Sequence, residues 1–248
     1  MIDKNNIYLS PQKEISLKEL TISLMMDSTS FTCKPKKGME IASLSARLND
    51  STAHITLKNL SQLVGNQGYT ICPSVVNNNR TLDKWLSQQV YGLDFDNKNM
   101  ETIYTPQQFL EDCTKWEITP SFMYETFSST KTLPRFRVIF VSDQIITDIR
   151  GSYMISELFI KMFPNCDRQV TRNPVSILFG GRNLLQESLE STFNPLDLLD
   201  EYCFYLRRKD HKNSGKNLRN LAKLLEIDLV GQDLAIQSMV KYRKAENL

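Results

Sequence analysis

The sequence predicts an α+β protein with a helical C-terminal region, and three observations carry that reading. Period-two alternation marks a strand over 121–128, and a β-branched and aromatic run marks another over 135–141. Helical stretches with their own start and stop signals lie around these strands, the clearest opening at Thr105 and Pro106. From residue 195 onward the apolar spacing is helical, over 196–208, 218–227 and 232–243. Strands and helices mixed in one stretch, with helices alone in the next, make a core with an appended helical region.

In chain order, residues 1–11 are polar and irregular. Residues 14–26 carry Ile15, Leu17, Leu20, Ile22, Leu24 and Met25 and are read as a helix. The T-S-F-T and C-K-P-K-K-G stretches make 27–39 a loop. A short helix over 57–64 is ended by Gly65, with Gly68 as a second breaker. A strand over 69–76, a polar loop over 77–80 and a strand over 85–96 follow. The helix that opens at Thr105 should stop near Lys115, with Phe109 and Leu110 turned inward. The strands at 121–128 and 135–141, joined by S-S-T-K-T-L-P, form a hairpin. Residues 143–163 read as one long helix that Gly151 can bend. A loop with Asp167 then leads to an apolar strand over 175–179, ended by Gly180 and Gly181. The domain boundary falls within 181–194. It separates a domain over 1–182 (an N-terminal α/β unit to about 84, then a motif-bearing core) from a helical region over 195–248.

Composition excludes several classes of function. A chain of 248 residues, 41% hydrophobic and 23% charged, is long enough for a full core and ordinary for a globular protein. No apolar run approaches a membrane span, and residues 1–10 lack the apolar core of a signal peptide, so a cytosolic protein with no membrane partner is expected. Cys33, Cys72, Cys113, Cys166 and Cys203 are scattered, odd in number and without a C-x-x-C pair, which argues against a disulfide framework or a zinc site. With His54 and His211 as the sole histidines, a His-rich metal centre or a Ser-His-Asp triad is hard to assemble. The net charge of +2 is unevenly spread: residues 201–248 hold ten Lys or Arg against six Asp or Glu, leaving +4 there and −2 elsewhere. A basic tail suits a phosphate-bearing partner, or a solvated helical face.

The residues that point to chemistry lie in Y-G-L-D-F-D-N-K, 91–98. Side chains at i and i+2 of a strand share a face, so Asp94 and Asp96 project together while Leu93 and Phe95 are buried opposite. Two carboxylates held that close repel, and a hard divalent cation, Mg²⁺ or Mn²⁺, removes the repulsion. An isolated D-x-D also fits a strand running out into a solvated turn. Its companions distinguish the two. Arg135 and Arg137 share one strand face by the same rule, Lys131 precedes them, Ser128, Ser129 and Thr130 add hydroxyls, and Asp167 offers a third carboxylate. Carboxylates for metal and a basic cluster for phosphate are the minimum kit of phosphoryl or nucleotidyl transfer. Removing both Asp94 and Asp96 is expected to leave the fold intact.

The succession L-D-F-D-N (93–97), T-F-S-S-T-K with P-R-F-R-V-I-F (126–140), and an Asp167 loop leading into I-L-F-G-G (177–181) resembles the archaeo-eukaryotic primase superfamily, in particular the primase-polymerase domains of plasmids, phages and integrated elements. The resemblance covers roughly residues 69–182. It implies a core like an RNA-recognition-motif fold beside a smaller N-terminal α/β unit, and template-directed nucleotidyl transfer with two Mg²⁺ or Mn²⁺ ions and nucleoside triphosphates. By that carry-over Asp94, Asp96 and Asp167 are metal ligands and catalytic carboxylates, and Ser128, Ser129, Lys131, Arg135 and Arg137 grip the nucleotide. Arg172, Arg182, Arg207, Arg208 and Lys209 are candidate contacts to a single-stranded DNA template. The pattern departs from the family in two places: no histidine lies between His54 and His211, and Ser176 stands where the subgroup carries an arginine. These departures keep open a second reading, a weakly catalytic replication-initiation subunit that grips single-stranded DNA or a helicase, and a third, a metal-dependent nuclease. No G-x-x-x-x-G-K-[ST] loop is present, so unwinding is expected from a separate helicase.

Overall fold

The computed structural model describes residues 20–98, 100–195, 197 and 198. Two antiparallel sheets divide that stretch. The first is built from β1 (Thr21–Ser30), β2 (Thr52–Thr56) and β3 (Tyr69–Cys72), in the order β2-β1-β3, with helices α1 (Met39–Asn49) and α2 (Leu57–Gly65) between them. The second takes β4 (Ser74–Val76), β5 (Trp85–Asp96), β6 (Phe122–Thr126), β7 (Arg135–Ile146) and β8 (Gly181–Glu187) in the order β4-β5-β7-β6-β8. Its helices are α3 (Pro106–Lys115), α4 (Ile149–Met162) and the short α5 (Arg168–Arg172). The mixed α+β class expected from the sequence is the class observed.

Period-two patterning puts opposite faces of the central β5–β7 pair into different cores. Tyr91, Leu93 and Phe95 with Phe136, Val138 and Phe140 face α3 and α4, where Phe109, Leu158 and Phe159 close an aromatic-rich layer. Val90, Ile139 and Val141 face the N-terminal unit, against Ile22, Leu24, Leu60, Val64 and Leu178. The two acidic residues of β5 and the two arginines of β7 continue this second face beyond its apolar part. Within this group Arg137 is buried, Asp94 nearly so, and Asp96 and Arg135 are partly exposed.

Several elements follow the sequence reading closely. Thr105 caps α3 with a reciprocal box to Gln108, Pro106 stands in the first turn, and the helix ends at Lys115. The hairpin forms with Tyr124 opposite Arg137. Other elements differ, each for a physical reason. The expected helix over 14–26 begins outside the described residues, and its described part is strand β1. Ile22 and Leu24 are buried while Ser23 is partly exposed, a period of two that the crowded apolar run concealed. β1 also extends through 27–30, read as loop, because it pairs on along β3 to set Ser30 opposite Tyr69, while Arg47 of α1 neutralises the fully buried Asp27 at 2.6 Å. The single strand over 69–76 is split at Pro73 into β3 and β4, which lie in different sheets. The long helix over 143–163 is shortened at its start: β7 runs on to Ile146, opposite Gln88, and Asp148 caps a helix that begins at Ile149. Residues 175–179 form no regular strand. Leu178 makes one two-way backbone bridge to Ile71, and the strand lies instead at Gly181–Glu187, along β6. Of the C-terminal helical region, Pro195, Asp197 and Leu198 are helical and the remainder lies outside the described residues.

Candidate functional site

The register of β5 against β7 sets Asp94 opposite Arg137 and Asp96 opposite Arg135. Directly paired residues on antiparallel strands share a face, so four charged side chains alternate in sign across two strands. The pairs are unequal. Arg137 reaches Asp94 Oδ1 through Nε at 2.9 Å and Nη2 at 2.5 Å, with the two side chains only 6% and 16% exposed. Arg135 Nε lies 2.8 Å from Asp96 Oδ1, and these side chains are 29% and 37% exposed.

Arg137 is also held from behind. Its Nη1 donates to the Phe179 carbonyl at 2.7 Å and to the Tyr124 hydroxyl at 3.3 Å, and that hydroxyl donates to the same carbonyl at 3.0 Å. Burial works against the Arg137 charge, but Asp94 and Tyr124 more than offset it and hold the guanidinium above its ordinary pKa. Burial raises the Tyr124 phenol, an effect that Arg137 opposes. The F-G-G turn is thereby tied through its backbone to the acidic strand. Gly180 permits this: a Cβ there would stand 2.4 Å from the Tyr69 carbonyl oxygen.

Two hollows meet at Asp96. One, of about 70 Å³, is lined by Asp94, Asp96, Ser128, Arg135, Arg137 and Phe179, with Lys34 from the N-terminal unit. The other, of about 560 Å³, is bordered by Asp96, Lys98, Asn165, Asp167, Arg168 and Gln169. Asn97 fixes the wall between strand and loop. Its side chain donates to the carbonyls of Tyr104 at 2.9 Å and Pro134 at 2.5 Å and accepts from the Tyr104 N–H at 2.9 Å.

The structure brings the predicted residues together unequally. The backbone N–H of Asp167 donates to the Asp94 carbonyl at 2.7 Å, which docks its loop against β5. The Asp167 carboxylate caps α5, with Oδ1 accepting from Gln169 at 2.8 Å and Val170 at 3.2 Å. Among the described residues no three His, Cys, Asp or Glu side chains stand grouped to hold a metal. Ser128 lines the smaller hollow, whereas Ser129 braces the hairpin, its Oγ accepting from the Arg135 N–H at 3.1 Å. Lys131 is exposed at the hairpin tip and lines neither hollow. Arg172 pairs with Glu157 at 3.0 Å, Arg182 is exposed on β8, and Arg207, Arg208 and Lys209 lie outside the described residues. Ser176, where the resemblance led an arginine to be expected, donates to the Val170 carbonyl at 3.3 Å.

Every contact described for Asp94, Asp96 and Asp167 carboxylates uses Oδ1. Asp94 and Asp96 therefore retain an oxygen each for a hard cation, and Mg²⁺ is commonly bound by one or two carboxylates with substrate phosphates and water completing its shell. The donor pair fits such an ion. The sequence reading missed Lys34 and the Tyr124 hydroxyl; for Lys34 a signal existed, three lysines around a proline in C-K-P-K-K-G.

No known protein family model matches the chain. No curated protein matches it. Among solved structures it shows a likeness to the AEP domain of the cyanophage S-2L primase-polymerase, at 9% sequence identity and a TM-score of 0.39, covering 74% of this chain and 89% of that one. A likeness so slight carries neither fold nor function. Among the described residues no helix is long and apolar enough to cross a membrane.

Proposed function

We propose that this chain is a metal-dependent nucleotidyltransferase of the primase-polymerase kind, joining nucleotides on a single-stranded DNA template for a mobile genetic element. The observation that carries the reading is the Asp94–Asp96 pair at the end of β5, each carboxylate matched to an arginine of β7 and both bordering a cleft. Asp94 and Asp96 would hold Mg²⁺ or Mn²⁺, which when bound neutralises phosphate charge. Arg135 and Ser128 face the phosphate chain. Arg137 orients Asp94, its guanidinium nitrogens engaged by Asp94, the Tyr124 hydroxyl and the Phe179 carbonyl. In the reaction the 3′-hydroxyl oxygen bonds to the α-phosphorus, the bond to pyrophosphate breaks, and the hydroxyl proton passes to solvent. Asp167, docked against Asp94 through its backbone, stands at the larger hollow as the remaining carboxylate. A separate helicase would open the duplex.

A second reading is a strand-binding initiation subunit with little catalysis. It is favoured by the neutralisation of both carboxylates by arginine and by the lack of a third grouped ligand among the described residues. An extension assay on single-stranded template with labelled nucleotides and Mn²⁺ separates the readings. Incorporation is expected. Strand binding without incorporation would favour the subunit, and template degradation a nuclease.

A further inference from the structure

Three positive side chains, Lys34, Arg135 and Arg137, line the smaller cleft against two negative ones, Asp94 and Asp96, for a net +1. The two arginines are already engaged. Arg137 is buried among Asp94, Tyr124 and the Phe179 carbonyl, and Arg135 lies against Asp96. Lys34 forms no ion pair with a described residue and is exposed. Among the described residues it is the cation in this cleft whose charge no carboxylate balances.

Its position is built. The Phe31 N–H donates to the Gly68 carbonyl at 3.1 Å, Pro35 is buried, and the Lys36 N–H donates to Glu40 Oε2 at 2.6 Å, so the loop is fastened on both sides of Lys34. Gly68, at φ 80°, is needed for that closure, since a Cβ there would lie 2.0 Å from the Phe31 carbonyl oxygen. The Lys34 amine stands 5.9 Å from the Phe179 ring centroid, a cation–π contact that turns the head group across the cleft. Phe179 is the residue whose carbonyl holds Arg137. An uncompensated ammonium across from two carboxylates suits a metal-bound polyphosphate, whose oxygens require cations on the side away from the metal.

We propose that Lys34, from the N-terminal unit, binds the phosphate chain of a nucleoside triphosphate together with Arg135 and Ser128. The proposal rests on the nucleotidyl-transfer reading and adds to it a residue from outside the strand pair that bears the carboxylates.

The test is calorimetric titration of the full chain in Mg²⁺ with inorganic tripolyphosphate and, separately, with oligothymidine. Lys34→Ala should weaken tripolyphosphate binding about tenfold, as expected for removal of one charge-assisted hydrogen bond, while Lys34→Arg stays within about threefold of wild type. Oligothymidine binding should be unchanged in both, and both variants should melt as wild type does. If Lys34→Ala binds tripolyphosphate as tightly as wild type, the assignment of Lys34 is wrong and the nucleotidyl-transfer reading stands. Weakened oligothymidine binding, alone or to the same degree as tripolyphosphate, would make the loop a general strand contact and likewise overturn it. If wild type binds neither probe, both the assignment and the wider reading fall.

Discussion

Asp94 is held by a buried guanidinium and Asp96 by a partly exposed one, so substitutions at the two positions should separate chemistry from folding. Exposed ion pairs contribute about 0–1 kcal/mol, so Asp96→Asn should leave stability nearly unchanged while abolishing incorporation in the extension assay. Asp94→Ala leaves Arg137 enclosed without a counter-charge and should cost about 3 kcal/mol in a denaturant melt. The expectation that both carboxylates can be removed without harm to the fold therefore applies to Asp96 and not to Asp94. Equal stability of the two variants would show that the Arg137 site is wetter than its 6% side-chain exposure implies. The cysteines give a second test. Burial pushes the thiols of Cys72 and Cys166 up to about 11 and that of Cys113 up to about 12, from an ordinary value of 9.0. The folded state thus holds these protons more tightly than the unfolded chain does. Their contribution to stability is complete below pH 9.0 and is lost as pH rises through about 11 to 12. At neutral pH a thiol reagent should modify the exposed Cys33 well before these three. Labelling of Cys166 at the rate of Cys33 would mean that the turn between α4 and α5 opens readily.

Among the elements, the segment 175–180 does more than its irregular backbone suggests. It bridges to β3 at Leu178, and it supplies the Phe179 carbonyl that fixes Arg137 and Tyr124. Gly180 allows the close approach, and a Cβ there would also come within 2.6 Å of the Gly68 carbonyl carbon. Gly180→Ala should therefore destabilise by about 1–3 kcal/mol, as overpacking against backbone does. It should also lower incorporation by displacing the support of Asp94, with wild-type strand binding retained. Tyr124→Phe removes one donor and one acceptor from the same network and should cost about 1 kcal/mol. A Gly180→Ala protein with wild-type melting would show that the segment can move aside without loss.

For the whole molecule, the +4 of residues 201–248 lies outside the described structure, while Leu198 is buried against the aromatic core. Truncation should spare 193–198, because the Phe193 N–H donates to the Val141 carbonyl at 2.9 Å. A chain ending after Leu198 should fold and bind single-stranded DNA more weakly, with a shallower salt dependence. Every phosphate that the shortened chain no longer neutralises lowers the log-log slope by about 0.7. Unchanged affinity and slope would assign the tail a role other than phosphate binding.

By itself the sequence determined what depends on near neighbours along the chain. The i, i+2 spacing of Asp94 with Asp96 and of Arg135 with Arg137, the capping of α3 by Thr105, and the end of α2 at Gly65 all follow from local geometry. The tertiary structure decided what depends on distant partners. Cross-strand register made Arg137 the fixed companion of Asp94 and left Arg135 nearer the open cleft. The docking of the 31–38 loop on Gly68 brought Lys34 to the same cleft from about sixty residues upstream of Asp94. Pairing with Gln88 carried β7 through a segment whose apolar spacing reads as helix, because continuing the ladder outweighs local propensity even where Asp143, Gln144 and Ile145 are exposed.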